Sequence, residues 1–433
     1  MMTKILAAAA AVAAIAMTSG CASSCAVPSA ASQTPAVAAD ACCPDVHLTP
    51  AAPGAYPRLW NEKELFEVPE MTPATDLSFD FDYAANVKPV YLSGIDFQGK
   101  PTKFFAWVGL PEGADEAHPV PGVVLVHGGG GTAFVQWVEE WTARGYAAIA
   151  MDTVGTRPLK RFEGSGCAAA QPLDRPGRHN FDFDVANPKD SWTAHAVATV
   201  VKSHSYLRSL PQVDASRIGI TGISWGGYLT CITTAVDKRF IAAVPVYGCG
   251  FLGEFQATVA NAPRAWLELF DPAMFLRSVD CPILFVNRPV DPPYHWSQWV
   301  RSSQLPKNAQ RSCRLGFGHS HAGGRVPEAP IFLDAYCKGE ASLPRISEQR
   351  LSRDGKTVSA TIKAMAPYER AVIAWTEDGE TVPEHERNWQ QAPAGIKGDK
   401  VSAPVPAKAT AYFLSVYDLR NGVISTSGFG VKK

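Results

Sequence analysis

The sequence predicts an α/β protein in which a mostly parallel sheet, with helices on both faces, is followed by a small sandwich-like all-β domain. Three observations predict it. Between about residues 123 and 337, short runs of β-branched and other apolar residues alternate with helix-length segments, as expected of parallel strands joined by crossover helices. One of these runs passes directly into Gly222-Ile223-Ser224-Trp225-Gly226, a glycine-flanked turn between a strand and a helix. After Leu343-Pro344 the runs become short, and Asp354-Gly355, Asp378-Gly379 and Asn421-Gly422 punctuate them as hairpin signals.

The chain is expected to divide into residues 1–21, a signal peptide of lipoprotein type; 22–56, a flexible linker; 57–344, the α/β domain; and 345–433, the C-terminal β domain. Lys4 supplies a positive n-region, and residues 5–17 form an Ala-rich apolar stretch too short to span a bilayer. Thr18-Ser19-Gly20-Cys21 resembles a bacterial lipoprotein cleavage site with Cys21 as the lipidated residue, although Thr18 stands where an apolar residue is usual. Conventional cleavage near Ala22 or Ala26 is the alternative. Both imply export, to the periplasm or as a membrane-anchored lipoprotein, with membrane contact only through a lipid anchor. Residues 22–56 are rich in Ala, Pro, Ser and Thr, a linker composition.

From Leu77 the pattern changes. Residues 77–83 alternate apolar and polar, and 90–92 and 103–108 follow with turn residues between, so antiparallel strands are expected at the leading edge of the sheet. Parallel strands are expected at 123–126, 147–150, 218–220, 241–246 and 282–286 and near Cys313. Helices are expected over 133–144, 191–210 and 228–236, and near 296–304 and 330–337. Residues 154–190 and 249–280 interrupt the alternation. Both leave C-terminal strand ends, where open α/β sheets place ligands, and read as pocket walls, a lid or a structural excursion. In the tail, 357–363, 371–375 and 411–417 read as strands.

At 46% hydrophobic and 19% charged, the 433-residue chain can bury a large core. A formal net charge of −1 offers neither a nucleic-acid footprint nor a polybasic membrane patch. Of ten cysteines, Cys21, Cys25, Cys42 and Cys43 fall in the N-terminal tail, and Cys167, Cys231, Cys249, Cys281, Cys313 and Cys337 in the body. An oxidising compartment permits disulfides, and Cys281 and Cys313, each read at the start of a neighbouring strand, are expected to lie within pairing distance.

The chemistry centres on Ser224. A serine on a sharp strand-to-helix turn is held in a strained conformation with its hydroxyl raised above the strand end, and glycines two residues to either side allow the neighbouring backbones to approach. Such a serine needs a base, and the base needs an orienting carboxylate. Asp291, one short loop beyond the strand at 282–286, is the expected acid, with a turn or N-cap role as the alternative. Gly316-Phe317-Gly318-His319-Ser320-His321 provides the base; His319, directly after Gly318, is expected to fill the role, with His321 as the alternative. A backbone oxyanion site is expected from the Trp225 N–H at the helix start and from Gly129 and Gly130 in His127-Gly128-Gly129-Gly130-Gly131, where His127 is read as structural. Tyr294 and Trp296 are candidate substrate-stacking rings. His319-Ser320-His321 could instead ligate a metal, but no third ligand stands at matching spacing, so no metal and no cofactor are expected.

The stretches Val123 to Phe134, Arg144 to Asp152 and Asp214 to Tyr228 resemble the α/β-hydrolases, within them the acetyl xylan esterase, dienelactone hydrolase and prolyl-oligopeptidase-like branch, over about residues 80 to 340. Arg288 stands where that group's acid loop commonly carries glycine. The resemblance implies the α/β-hydrolase fold and a serine mechanism acting on a small-molecule or carbohydrate ester, with a prolyl-oligopeptidase-like peptidase and a non-catalytic binding lipoprotein as the other readings. About 60 residues separate the linker from the first core strand, too few for two propeller blades of about 40 residues, which favours the esterase.

Overall fold

The run at 123–126 lies in the middle of the larger of two sheets. The computed structural model describes residues 59–158, 186–254, 263–363 and 367–426, together with 161, 170–172, 176 and 184; the expected signal, Cys21 and the linker fall outside these. The larger sheet has nine strands: β1 (Met71–Pro73), β2 (Val87–Ser93), β3 (Lys103–Gly109), β4 (Val120–Val126), β5 (Ala147–Met151), β8 (Val213–Ile223), β9 (Ala242–Val246), β10 (Ile283–Asn287) and β11 (Ala309–Cys313). The labels β6 (Thr156–Pro158) and β7 (Ala170–Pro172) belong to a separate two-stranded hairpin. The strand order is β1-β2-β3-β5-β4-β8-β9-β10-β11. The first three strands join antiparallel and the remaining six run parallel, the α/β-hydrolase arrangement.

The helices are α1 (Glu62–Phe66), α2 (Val135–Thr142), α3 (Trp192–Ser209), α4 (Trp225–Val236), α5 (Arg264–Phe270), α6 (Trp296–Ser303) and α7 (Glu328–Cys337). Two glycines show that both faces of the sheet are covered. A Cβ on Gly122 would meet Leu207 of α3 at 3.0 Å, and one on Gly219 would meet Leu333 of α7 at 2.6 Å. Gly122 pairs with Ile218, so Gly219 points to the opposite face. Strands β5, β9 and β10 are buried at every residue, as expected of parallel strands sandwiched between helices. The chain leaves β4 for β5 on one side and returns to β8 on the other. The crevice at the C-terminal ends of β4 and β8 is therefore the switch point at which open sheets bind ligands.

The second sheet has eight strands: β12 (Arg345–Ile346), β13 (Arg350–Leu351), β14 (Thr357–Lys363), β15 (Tyr368–Thr376), β16 (Trp389–Lys397), β17 (Lys400–Pro404), β18 (Ala411–Asp418) and β19 (Val423–Ser425), all paired antiparallel. β18 is buried on both faces. Tyr412, Leu414 and Val416 join the β domain's own core, while Ala411 and Phe413 pack into the core of the larger sheet. Beyond β18, β19 lies against edge strand β11, where the Ser425 hydroxyl accepts the Cys313 N–H at 3.0 Å.

Four expectations need correction. Residues 77–83 form no strand. Phe79, Phe81 and Tyr83 instead turn their rings onto Trp107, at 4.8, 6.3 and 4.9 Å, and the extra leading strand is β1. The strand near Cys313 begins four residues earlier and ends there, with Cys313 opposite Asn287. Cys281 precedes β10, so it and Cys313 lie at opposite ends of the strand pair; both are free thiols, not a disulfide. Asp378-Gly379 opens a long connection containing a 3₁₀ turn, whereas the tight hairpin missed in the sequence is at Gly398 (φ +63), between β16 and β17.

Candidate active site

β8 runs to Ile223 and α4 begins at Trp225, leaving Ser224 alone at the turn with φ 53 and ψ −119. An L-residue in that region is strained by about 1–3 kcal/mol and persists only where its surroundings over-determine it. Here they do. The Ser224 N–H donates to the Val246 carbonyl at 2.9 Å, and its own carbonyl accepts from Tyr228 at 2.9 Å. A Cβ on Gly222 would lie 2.4 Å from the Gly226 carbonyl oxygen, and one on Gly226 would lie 2.1 Å from that of Val126. Both glycines are thus required by backbone approach, and the second presses the elbow against the end of β4.

Asp291 and His319 reach the serine from the ends of β10 and β11. His319 Nε2 lies 3.0 Å from Ser224 Oγ and Nδ1 lies 2.8 Å from Asp291 Oδ2. Asp291 is buried, and its other oxygen accepts the Tyr294 N–H at 2.9 Å. Asn287 donates to the Tyr294 carbonyl at 3.0 Å, closing the acid loop on itself. Arg288 links the two loops: its guanidinium donates to the Phe317 carbonyl at 3.1 Å and lies 3.8 Å from Asp291 Oδ2. This order of groups can carry a proton from a serine hydroxyl to an imidazole whose opposite nitrogen faces a carboxylate.

His321 is separated from this line. Its ring stands edge-on to Phe134 at 4.9 Å, beside Gly131, and burial, aided by His127 and His319, lowers its pKa to about 4. It borders a pocket of about 580 Å³ walled by Phe134, Trp137, Glu140 and Arg325. His127 is buried, with Nδ1 2.7 Å from the Gly128 carbonyl while Nε2 accepts the Thr153 N–H at 3.0 Å, which fixes a neutral tautomer. Gly129 and Gly130 form the tight turn that the Gly131 N–H closes onto the Gly128 carbonyl at 3.0 Å. The Trp225 ring packs inward, edge-on to Trp192 and Tyr228, so only its backbone faces the turn.

Both candidate stacking rings are buried. Tyr294 is fully buried, its ring parallel to His319 at 6.2 Å. Trp296 is 2% exposed and packs against Trp389 and Phe413 of the second sheet at 4.6 and 5.3 Å. Aromatic residues so near the acid in sequence are drawn into packing because α6 must bury its first turn. In the 249–280 stretch, Trp266 and Phe270 are likewise core residues; Trp266 stacks on Tyr228 and covers the elbow helix. Sequence reasoning missed Tyr247. It stands at φ 60 directly after β9, its ring 4.4 Å from His319 and stacked on Phe317, and its hydroxyl donates to the Gly318 carbonyl at 2.6 Å. Its position at the end of a parallel strand was the available signal.

The family model for acetyl xylan esterase (AXE1) matches residues 49–281. The chain belongs to the acetyl xylan esterase family. An acetyl xylan esterase from Paenibacillus sp. R4 superposes with a TM-score of 0.50 at 17% identity, covering 64% of this chain and 92% of that one, a likeness of fold. The quorum-quenching protein AidA of Acinetobacter baumannii is 29% identical over 157 residues, 36% of this chain and 43% of that protein. The probable dipeptidyl-peptidase 5 of Emericella nidulans is 29% identical over 142 residues, 33% of this chain and 18% of that protein. The chain thus spans less than half the length of these curated relatives. The acetyl xylan esterase match includes Ser224 and the glycine loop, and it ends before the strands that carry Asp291 and His319.

Proposed function

We propose that the protein is an exported serine esterase that removes acetyl or similarly short acyl groups from carbohydrate through an acyl-enzyme. The observation that carries this reading is the continuous line from Ser224 Oγ through His319 to Asp291, at 3.0 and 2.8 Å. His319 Nε2 takes the serine proton as Oγ adds to the ester carbonyl, then gives it to the departing sugar oxygen. Asp291 holds Nδ1–H and balances the imidazolium charge. Water, deprotonated by His319, then attacks the acyl-serine; acetate leaves and the Ser224 hydroxyl is restored. The Trp225 N–H and an N–H of Gly129 or Gly130 receive the oxyanion. His127 supports the glycine assignment: it draws the Gly128 carbonyl to itself, and a trans peptide then turns the Gly129 N–H to the opposite side.

Family membership favours an ester over an amide. A peptidase is the second reading, favoured by the likeness of one third of the chain to a probable dipeptidyl-peptidase. The deciding experiment compares kcat/KM for an acetylated xylo-oligosaccharide and an aryl acetate with that for proline- and alanine-containing peptide amides. Acetyl esters are expected to lead by orders of magnitude; a peptide hydrolysed faster than every acetyl ester overturns the esterase reading. Export with lipid attached at Cys21 rests on the N-terminal sequence pattern alone. Mass spectrometry of the protein from a bacterial membrane fraction tests it, and an unmodified Cys21 counts against it.

A further inference from the structure

We propose that the C-terminal sheet is a positioning element of the active site, holding the acid and base loops in register with Ser224; this rests on the serine reading above. The contacts fall on both loops. On the acid side, α6 begins five residues after Asp291, and its N-cap residue His295 makes no side-chain cap hydrogen bond. The cap comes instead from the second sheet's long connection, where Glu384 Oε2 accepts the Ser297 N–H at 3.0 Å. A carboxylate there satisfies an orphan donor and faces the positive end of the helix dipole. One residue earlier, Trp296 is wedged against Trp389 and Phe413. Pro292 and Pro293 join this anchor to Asp291, and prolines, with φ locked, pass a displacement along the chain with little absorption. The Tyr294 N–H then binds Asp291 itself.

On the base side, β11 ends at Cys313, whose N–H is held by Ser425 of β19. Arg314, the next residue, donates to Glu328 at 2.6 Å and to the Asn421 carbonyl, while the same Glu328 oxygen accepts the Val423 N–H at 2.9 Å. The chain then runs five residues to His319. Ser224, by contrast, is held by Val246, by the end of β4 at Val126 and by its own flanking glycines, which belong to the larger sheet and the helix that follows the turn. The second sheet therefore bears on the two groups whose alignment must be kept to within a fraction of an ångström, since a misplacement of about 1 Å costs about 100-fold in rate.

The test uses the full chain with Glu384→Ala, Glu384→Gln and Trp389→Ala. Glu384→Ala is expected to lower kcat for an aryl acetate about tenfold with KM unchanged. Glu384→Gln, which keeps an acceptor oxygen at the helix start, is expected to stay within twofold of the parent. Trp389→Ala, acting through Trp296, is expected to lower kcat in the same way. The low-field proton resonance of the His319–Asp291 hydrogen bond, assigned by its loss in His319→Ala, is expected to shift or broaden in the two alanine variants and not in Glu384→Gln. A kcat within twofold of the parent in both alanine variants, or a loss that follows only the unfolded fraction, with the resonance unmoved, overturns the proposal. Undiminished hydrolysis in Ser224→Ala would overturn the serine reading instead, while the resonance still reports on the positioning of His319.

Discussion

His319 and His204 each set Nδ1 2.8 Å from an aspartate, Asp291 and Asp237 respectively, yet of the two only His319 meets a serine hydroxyl on its far side. His319 is 22% exposed and its far nitrogen meets Ser224. His204 is sealed: its ring stacks on Phe240 at 3.8 Å, both members of the pair are wholly buried, and Nε2 has no hydrogen-bond partner among the described residues. Asp237 is further engaged by Arg239 at 2.7 Å. Burial lowers the His204 pKa, and Arg239 and His204 keep Asp237 ionised against its own burial, so the pair sits as neutral imidazole beside carboxylate. The same two-residue unit serves as a proton relay in the proposed mechanism and as a structural clasp at His204. What differs is the third partner and access to solvent.

That comparison can be broken by substitution. The largest effect is expected at the open pair. Ser224→Ala is expected to reduce ester turnover on the order of 10⁶-fold, and His319→Ala by a similar factor, with thermal midpoints close to the parent's. Turnover within tenfold of the parent for either variant would remove that residue from the chemistry. At the closed pair the expected effect moves from rate to stability. Asp237→Asn removes the carboxylate that His204 Nδ1 and Arg239 share and is expected to cost about 1–3 kcal/mol in urea unfolding. Turnover per folded molecule should stay at the parent level, and a specific loss of turnover would show that the two pairs are coupled.

A smaller effect is expected in the pH dependence of stability. The folded-state pKa of His204 lies below its unfolded value of about 6.5, so below about pH 6.5 the unfolded chain takes up a proton that the folded one refuses. Stability contributed by this group is complete above that pH and declines as pH falls through it. His204→Gln is therefore expected to flatten the decline of the thermal midpoint between about pH 6.5 and pH 5; an unchanged slope would mean that His204 has the same pKa folded and unfolded, and a steeper decline that it is charged in the folded state. The smallest effect is expected at His321. Its lowered pKa keeps it neutral at pH 7 and it touches Phe134 rather than the serine, so His321→Ala should cost less than about tenfold in kcat/KM. A loss exceeding that of His319→Ala would exchange their roles.

The sequence carried the parts of this molecule that local rules determine. The elbow was legible because Gly222 and Gly226 are demanded by backbone approach within five residues, and the parallel strands because continuous apolar runs have few other uses. Asp291 and His319 were locatable because each follows a strand by one short loop. Residues whose partners lie far along the chain were not legible. Trp296 reads in sequence as a ring beside the acid, and only the distant Trp389 and Phe413 decide that it packs inward. Glu384 caps a helix 87 residues earlier, which no spacing rule announces. The Cys281–Cys313 expectation failed through register: shifting one strand end by a few residues moved the two sulfurs to opposite ends of the pair.

The bond between Cys313 and Ser425 joins residues 112 apart in the chain. Strand β11 leaves the ribosome long before β19 does, and until β19 arrives it is the unprotected margin of a nine-stranded sheet. The order of synthesis therefore separates the making of the nucleophile turn from the closing of the histidine side. β4, β8 and β9 can assemble around Ser224 before Ser425, 179 residues beyond the end of β9 at Val246, has been made. A contact of such long sequence separation forms late, because its loop-closure entropy must be met before it stabilises anything. Under the proposed mechanism, hydrolytic activity in a newly made chain is therefore expected to appear only after β19 has docked on β11.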